Sequence, residues 1–170
     1  MAAGSEVTTV SAIVLVGGKY EPGLLKKCLA SLSWVNEIVQ VKTEKFKGSF
    51  SDWRNEGAKR ARGDWLFYVD SDETVSPALQ TEIKVKVAER KSENDAFAIP
   101  RRNILLGHEM RWGGWWPDYV VRLIKKDTLL GWEGELHEQP KIKGKIGKLH
   151  NSLIHVSHRY LVEMVAKTNQ

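Results

Sequence analysis

Two aspartates follow an apolar segment in the first half of the chain. The segment, residues 65–69, runs directly into Asp70-Ser-Asp-Glu73. In open α/β sheets, ligands bind beyond the carboxyl ends of the strands, where such a carboxylate pair would meet them. Carboxylate oxygens suit Mg²⁺ or Mn²⁺, which are held by one or two carboxylates together with substrate phosphates. The buried strand before Asp70 and Asp72 favours a metal site over a solvated acidic turn that caps the next helix.

Strands and helices alternate in the part of the chain that carries these aspartates. Apolar runs predict strands at residues 10–16, 37–41 and 65–69. Helices are predicted to begin at Pro22, after a cap at Ser51, and at Ser76-Pro77, the last one ending near Lys91. This alternation is typical of a parallel α/β sheet with right-handed crossovers. It places the two aspartates at the carboxyl edge of the sheet.

The second half of the chain has shorter strand-like segments separated by turns. They lie at residues 96–100, 108–112, 119–124 and 130–132, with further strand signal at Ile142, Ile146 and residues 149–156, and a helix at residues 160–167. This pattern predicts a more antiparallel and more looped half. No repeat or linker divides the chain, so we expect a single domain over residues 1–170.

The composition excludes several classes of protein and indicates an acidic partner. Of 170 residues, 42% are hydrophobic and 28% are charged, as in soluble globular proteins and unlike disordered or fibrous chains. The net charge of +5 suits a nucleic acid, a phosphorylated small molecule or an anionic membrane surface. No run reaches the roughly 18 apolar residues of a membrane span, and residues 1–9 show no secretory signal. The single Cys28 is expected to be a buried thiol, consistent with a reducing cytoplasm.

Several ordered motifs resemble those of family 2 glycosyltransferases. The segment 50–73 has that family's central signature, an Arg-Asn helix followed by Gly-Asp-Trp, an apolar strand and the Asp-x-Asp metal motif. Later motifs resemble the branch that adds sugars to the inner core of lipopolysaccharide: Pro100-Arg-Arg-Asn103, Gly113-Gly-Trp-Trp-Pro-Asp-Tyr119, Arg122-Leu123, Leu136-His-Glu138 and Leu153-Ile-His155. The resemblance implies a GT-A fold: a Rossmann-like nucleotide-sugar-binding half with a mixed, mainly parallel sheet at residues 10–75, and a looped acceptor-side half at residues 95–160.

The resemblance also implies a reaction and a set of site residues. An inverting transfer would move a sugar from a nucleotide sugar, expected to be UDP-linked, to a glycan or lipid-linked acceptor. Mg²⁺ or Mn²⁺ on Asp70 and Asp72 would neutralise charge on the diphosphate. His155 is implied as a further metal ligand, with His150 and His158 as rivals. Residues implied to bind the nucleotide sugar are Arg54, Asn55, Asp70 and Arg122.

The general base and the acceptor surface leave alternatives open. Glu138 aligns best with the family's acidic base, Asp118 is the second candidate, and Glu135 is the third. Arg101 and Arg102 fit either phosphate contacts or a solvated basic face. Three tryptophans, Trp112, Trp115 and Trp116, flank or follow a Gly-Gly pair. They predict either an aromatic platform for a sugar ring or core packing under the bend.

Two stretches depart from the family pattern, and rival functions stay open. The loop after the second strand, residues 40–49, has no Asp, and Glu44 is its only acidic residue. Gly18-Lys-Tyr-Glu-Pro22 stands where the family often has Asn-Glu-Glu. A catalytically impaired relative and a nucleotidyltransferase are therefore alternatives. A basic nucleic-acid-binding module is disfavoured because the lysines at 141–148 lie apart from the tryptophans. A cytoplasmic location is expected, with peripheral association at the inner face of the membrane left open.

Overall fold

The computed structural model describes residues 8–17, 20–45, 47–89, 92–134 and 138–157. Its helices are α1 (Pro22–Ser31), α2 (Phe50–Arg60) and α3 (Pro77–Ala88). Its strands are β1 (Val10–Val16), β2 (Glu37–Lys42), β3 (Trp65–Asp70), β4 (Glu73–Val75), β5 (Ala96–Leu105), β6 (His108–Glu109), β7 (Asp118–Lys125), β8 (Leu129–Glu133), β9 (Gln139–Ile142), β10 (Ile146–Lys148) and β11 (Leu153–Ser157).

One sheet runs through both halves of the chain in the order β2-β1-β3-β7-β5-β11-β4. β1 lies between β2 and β3 and is parallel to both, as the alternation of strands and helices predicted. Every residue of β1 is buried, because apolar side chains point to both faces of a covered sheet. The predicted strands at 10–16, 37–41 and 65–69 are confirmed to within one residue at their ends.

Beyond β3 the sheet becomes mixed, in agreement with the more antiparallel second half predicted. β7 is antiparallel to both β3 and β5, while β5 is parallel to β10 and β11. A separate two-stranded sheet pairs β8 with β9. β5 is twice as long as predicted, and the strand predicted at 108–112 is reduced to the two residues of β6. A mainly parallel sheet is therefore found in the first half and not in the second.

The start of α2 differs from the prediction, which placed the cap at Ser51. The helix is capped by Ser49, whose hydroxyl accepts from the Asp52 backbone N–H while the Asp52 carboxylate accepts from the Ser49 N–H. This reciprocal pair satisfies two N–H groups at the helix end. Ser51 lies inside the first turn, and its hydroxyl donates to the Gly134 carbonyl.

The short strand β4 has no counterpart among the predicted elements. It follows the turn at residues 71–72 and pairs antiparallel with β11, opposing Glu73 to His155. Its three residues have no strand pattern of their own, so tertiary pairing fixes their conformation. α3 ends at Ala88, before the predicted end near Lys91, and the helix predicted at 160–167 lies outside the described residues. No helix in the described part of the chain is long and apolar enough to cross a membrane.

Candidate functional site

Asp70 lies at the carboxyl end of β3 with its carboxylate between two arginines. Arg54 on α2 donates from Nη2 to Oδ1 over 3.0 Å, and Arg122 on β7 donates to Oδ2. Burial alone would raise the pKa of Asp70, but the guanidinium groups of Arg122 and Arg54 outweigh it and hold the pKa well below its usual range. Asp70 is therefore a permanent anion that holds α2 and β7 against the end of β3.

Glu73 on β4 is fully buried and extends this network. Its Oε2 accepts from the Asp70 backbone N–H over 2.9 Å, and its Oε1 lies 3.4 Å from Arg122 Nη2 and 3.6 Å from Arg101 Nη1. Burial alone would lower the pKa of Arg122, but the Asp70 and Glu73 carboxylates raise it. A buried carboxylate needs such partners, because leaving it unpaired costs several kcal/mol (about 3–5).

Arg54 joins Asp70 to Glu138, the first candidate for the general base. Its Nε and Nη2 donate to Glu138 Oε1 over 3.2 and 3.0 Å. Its guanidinium lies 4.8 Å from the centre of the Trp132 ring, and only 2% of Arg54 is exposed. Stacking and two ion pairs therefore fix this side chain in one orientation. Glu138 keeps 19% of its side chain exposed, so it lies at the edge of the site.

Asp72 and His155 form a second part of the site beside this cluster. His155 Nε2 lies 3.4 Å from Asp72 Oδ2, and the Asp72 backbone carbonyl accepts from the Val156 N–H. Burial alone would lower the pKa of His155, but the hydrogen bond and charge of Asp72 raise it above its usual value. The Asp72 side chain is 42% exposed, so a ligand can reach its carboxylate.

Asn103 on β5 fixes the orientation of His155. Its Oδ1 accepts from His155 Nδ1 over 2.7 Å. Its Nδ2 donates to Asp118 Oδ2 over 3.1 Å and to the Trp115 carbonyl over 3.4 Å. Because an amide oxygen can only accept, this contact places a proton on His155 Nδ1 and leaves Nε2 as the nitrogen that faces Asp72.

Asp118, the second candidate base, is held by β5. Its Oδ2 accepts from Arg101 Nε over 2.9 Å as well as from Asn103. Arg101 is thus paired with both Asp118 and Glu73, and it belongs to the site rather than to a solvated face. Arg102 points elsewhere and pairs with Glu109 over 2.7 Å, which fits the surface alternative.

Several predicted site residues lie away from this cluster. Asn55 lines a cleft of about 550 Å³ between α2 and β8, but its amide is engaged with the Trp132 backbone, accepting over 2.8 Å and donating over 3.0 Å. Asn55 therefore attaches β8 to α2. His150 contacts Glu82 on α3 rather than Asp72. Glu135 and His158 lie outside the described residues.

The tryptophans next to the Gly-Gly pair are exposed, so the core-packing alternative is wrong. Trp112 is 87% exposed, and Trp115 and Trp116 are each 41% exposed. Cys28, in contrast, is the buried thiol that was predicted. It donates to the Asp70 carbonyl, and burial raises its pKa to about 12.

Neither Glu73 nor Asn103 was predicted to be a site residue, although both lie in the motifs named above. An acidic residue three positions after Asp70 gives a weak signal, because such residues are usually solvated. The partners of Asn103 lie between 12 and 52 positions away along the chain. Only the sheet order brings them together.

Comparison with solved structures gives the fold. The structure of S. aureus TarS 1-349 matches with a TM-score of 0.55 and 14% sequence identity, over 88% of this chain and 60% of that chain. TarS 1-349 in complex with UDP-GlcNAc matches with a TM-score of 0.57 and 13% sequence identity, over 92% of this chain and 61% of that chain. The chain therefore shares the fold of the TarS structures.

The shared architecture is a Rossmann-like α/β arrangement with a curled mixed sheet. A structure of S. aureus TarS with more of its chain also matches, with a TM-score of 0.54 and 11% identity over 88% of this chain and 37% of that one. The chain thus spans about 60% of the TarS 1-349 fragment and less of the longer structure. No family model matches the sequence.

Proposed function

We propose that the chain is an inverting glycosyltransferase of the GT-A, family 2 type that takes a UDP-linked sugar as donor. The observation that carries this proposal is the charged cluster at the carboxyl end of β3, in a fold shared with a TarS structure that holds UDP-GlcNAc. Ligands of open α/β sheets bind at this edge. The acceptor is proposed to be a glycan or lipid-linked glycan of the cell envelope, as the motifs of the second half imply.

A divalent cation fits Asp72 and His155. Cis ligands of an octahedral ion with bonds of about 2.1 Å lie roughly 3 Å apart, close to the observed 3.4 Å between Oδ2 and Nε2. In the described part of the chain, no group of three or more His, Cys, Asp or Glu side chains could hold a metal ion. The protein would supply two ligands, and the diphosphate and water the others.

The charge balance of the site favours a bound cation. In the described residues, three arginines face five carboxylates, namely Arg54, Arg101 and Arg122 against Asp70, Asp72, Glu73, Asp118 and Glu138. When bound, Mg²⁺ or Mn²⁺ would offset this excess and neutralise charge on the leaving diphosphate. Metal binding by Asp70 stays a prediction. Its two ion pairs favour Asp72 and His155 as the ligands.

The remaining residues are proposed to order the site and to remove a proton. Diphosphate contact by Arg54 and Arg122 stays a prediction: both are buried and paired with carboxylates, so their proposed role is to hold Asp70 and Glu138 in place at the strand end. Glu138 is the proposed base: its Oε1 accepts the two Arg54 hydrogen bonds, and Oε2 receives none within the described residues. Asp118 stays the second candidate: Arg101 and Asn103 both donate to its Oδ2, and among the described residues its Oδ1, like Glu138 Oε2, receives no hydrogen bond.

Thermal shift with UDP-sugars, with and without Mn²⁺, tests the proposal. Saturating donor at about 100 times Kd stabilises a protein by roughly 2.7 kcal/mol, which raises Tm by about 5–10 °C at this chain length. Asp72→Asn should abolish the Mn²⁺-dependent part of the shift, while Asp127→Asn, an exposed aspartate on another turn, should keep it. Release of pyrophosphate rather than UDP during turnover would indicate a nucleotidyltransferase instead.

A further inference from the structure

An exposed aromatic loop lies beside the candidate site and has no role in the chemistry described above. This tryptophan loop, residues 111–117, connects β6 to β7 and presents Trp112, Trp115 and Trp116 to solvent. Gly113 and Gly114 have φ values of 71° and 84°, a backbone conformation that other residues rarely adopt. The two glycines form the bend that carries the indole rings outward. Large exposed aromatic groups of this kind mark binding surfaces.

The tryptophan loop is attached directly to the part of the site that contains Asp72 and His155. The Trp115 carbonyl accepts from Asn103 Nδ2, and the same amide accepts from His155 Nδ1. Asp118, the residue after the loop, also bonds to Asn103. One buried side chain therefore connects the loop to His155 and, through it, to Asp72. A molecule held on the indole rings would lie next to the proposed donor site.

The polar surroundings of the loop distinguish between possible ligands. Glu109 pairs with both Arg102 and Arg111, and Arg101 pairs with Asp118. These arginines are largely neutralised, so the loop is not a polybasic surface of the kind that binds anionic lipid headgroups. Tyr119 lies at the base of the loop, with Lys148 Nζ 4.6 Å from its ring centre. Flat aromatic faces bordered by charged hydrogen-bonding groups match a sugar ring, which has an apolar C–H face and polar edges.

We infer that the tryptophan loop binds a sugar ring of the acceptor glycan. This inference rests on the proposed function for the identity of the ligand as an acceptor, and it deepens that function by naming a carbohydrate as the recognised class. The indole rings of Trp115 and Trp116 stack on the ring face. Arg111 and Glu109 bond its hydroxyl groups at the rim. Because the loop is joined to Asn103, the bound ring lies on the acceptor side of Asp72 and His155.

Binding of the full chain to an array of bacterial cell-surface glycans tests the inference. The wild type should bind at least one glycan, and calorimetry with that glycan gives its Kd. Replacing both Trp115 and Trp116 by Ala should weaken binding by at least about tenfold, since each stacked aromatic ring contributes of the order of a kcal/mol. Phe50→Ala removes an exposed aromatic ring outside the loop and should change the Kd by less than about twofold.

Two further measurements separate this inference from its alternatives. Titration of the same variants with UDP should give an unchanged affinity. If the wild type itself does not bind UDP, that result would refute the proposed function and leave the inference about the loop standing. Sedimentation with phosphatidylcholine–phosphatidylglycerol vesicles should show no binding that depends on the tryptophans. Vesicle binding lost in the double variant would make the loop a membrane contact and overturn the inference. No glycan binding by the wild type, or equal binding by the double variant, would also overturn it.

Discussion

Replacing Arg122 by Met should destabilise the protein far more than replacing an exposed arginine. Arg122 is almost fully buried on β7, where it pairs with Asp70 and with the fully buried Glu73. Methionine has similar length and can fill the same space, but it carries no charge and no donors. The variant therefore leaves the fully buried Glu73 and the partly exposed Asp70 with fewer partners.

The size of this effect follows from the partners that remain. Breaking a buried ion pair by removing one member costs about 3–5 kcal/mol. Asp70 keeps Arg54, and Glu73 keeps Arg101 and the Asp70 backbone N–H. These contacts place the expected loss of unfolding free energy at the lower end, about 3 kcal/mol.

Urea unfolding followed by tryptophan fluorescence measures this loss. With an m value of about 1–3 kcal/mol/M, a loss of 3 kcal/mol lowers the midpoint by roughly 1–3 M. Arg62→Met is the matched control because Arg62 is exposed and its pair with Glu37 should contribute about 0–1 kcal/mol. If Arg122→Met lost no more stability than Arg62→Met, the buried network would not hold β3, β4 and β7 together, and the account of the site would be wrong.

Glu138→Gln should lower turnover in a transfer assay by about two orders of magnitude while the affinity for UDP stays unchanged. The control is Glu133→Gln, at an exposed residue, which should leave turnover near normal. Normal turnover in Glu138→Gln would remove Glu138 as the base. Asn103→Ala should weaken Mn²⁺ binding by about 10–100-fold, because His155 loses the partner that orients it. Calorimetry with Mn²⁺ in the presence of saturating UDP measures this change, and an unchanged affinity would contradict the positioning role. Donor binding should discriminate weakly among UDP, GDP, ADP and CDP because no Asp follows β2, and a strong preference that survives Glu44→Ala would contradict this. Finally, burial alone would raise the pKa of Glu82, but hydrogen bonds from the His150 and Asn151 backbone N–H groups lower it. The ionised Glu82 therefore stabilises the fold above its unfolded pKa of about 4.3. This contribution is lost as the pH falls through the lower pKa of the folded state. Glu82→Gln should thus reduce unfolding free energy by about 1–3 kcal/mol at pH 7, with a smaller difference at pH 3; a pH-independent difference would count against it.

The first half of the fold could be predicted because its signals are local. β1 and β3 are continuous apolar runs whose length is typical of strands buried on both faces. The position of Asp70 at the strand end followed directly. The predicted position of the α2 cap was wrong by two residues, because Ser49 and Ser51 are both suitable capping residues. The reciprocal contact between Ser49 and Asp52 decides between them.

The site itself depends on contacts that the sequence does not encode locally. Arg54 and Arg122 were predicted to meet a diphosphate, but their carboxylate partners lie between 16 and 84 positions away. β4 is a strand only because β11 pairs with it, and that pairing brings His155 to Asp72. Exposure of Trp115 and Trp116 could not be predicted either, since aromatic residues beside glycines are found both in cores and on surfaces.

A crystal structure with UDP and Mn²⁺ bound would locate both ligands at once, because the anomalous signal of manganese identifies the cation independently of the nucleotide. The account predicts a Mn²⁺ ion coordinated by the Asp72 carboxylate, by His155 Nε2 and by oxygens of the diphosphate, with UDP beyond the carboxyl ends of β1 and β3. UDP bound at another surface, or a Mn²⁺ ion that contacts neither Asp72 nor His155, would contradict it.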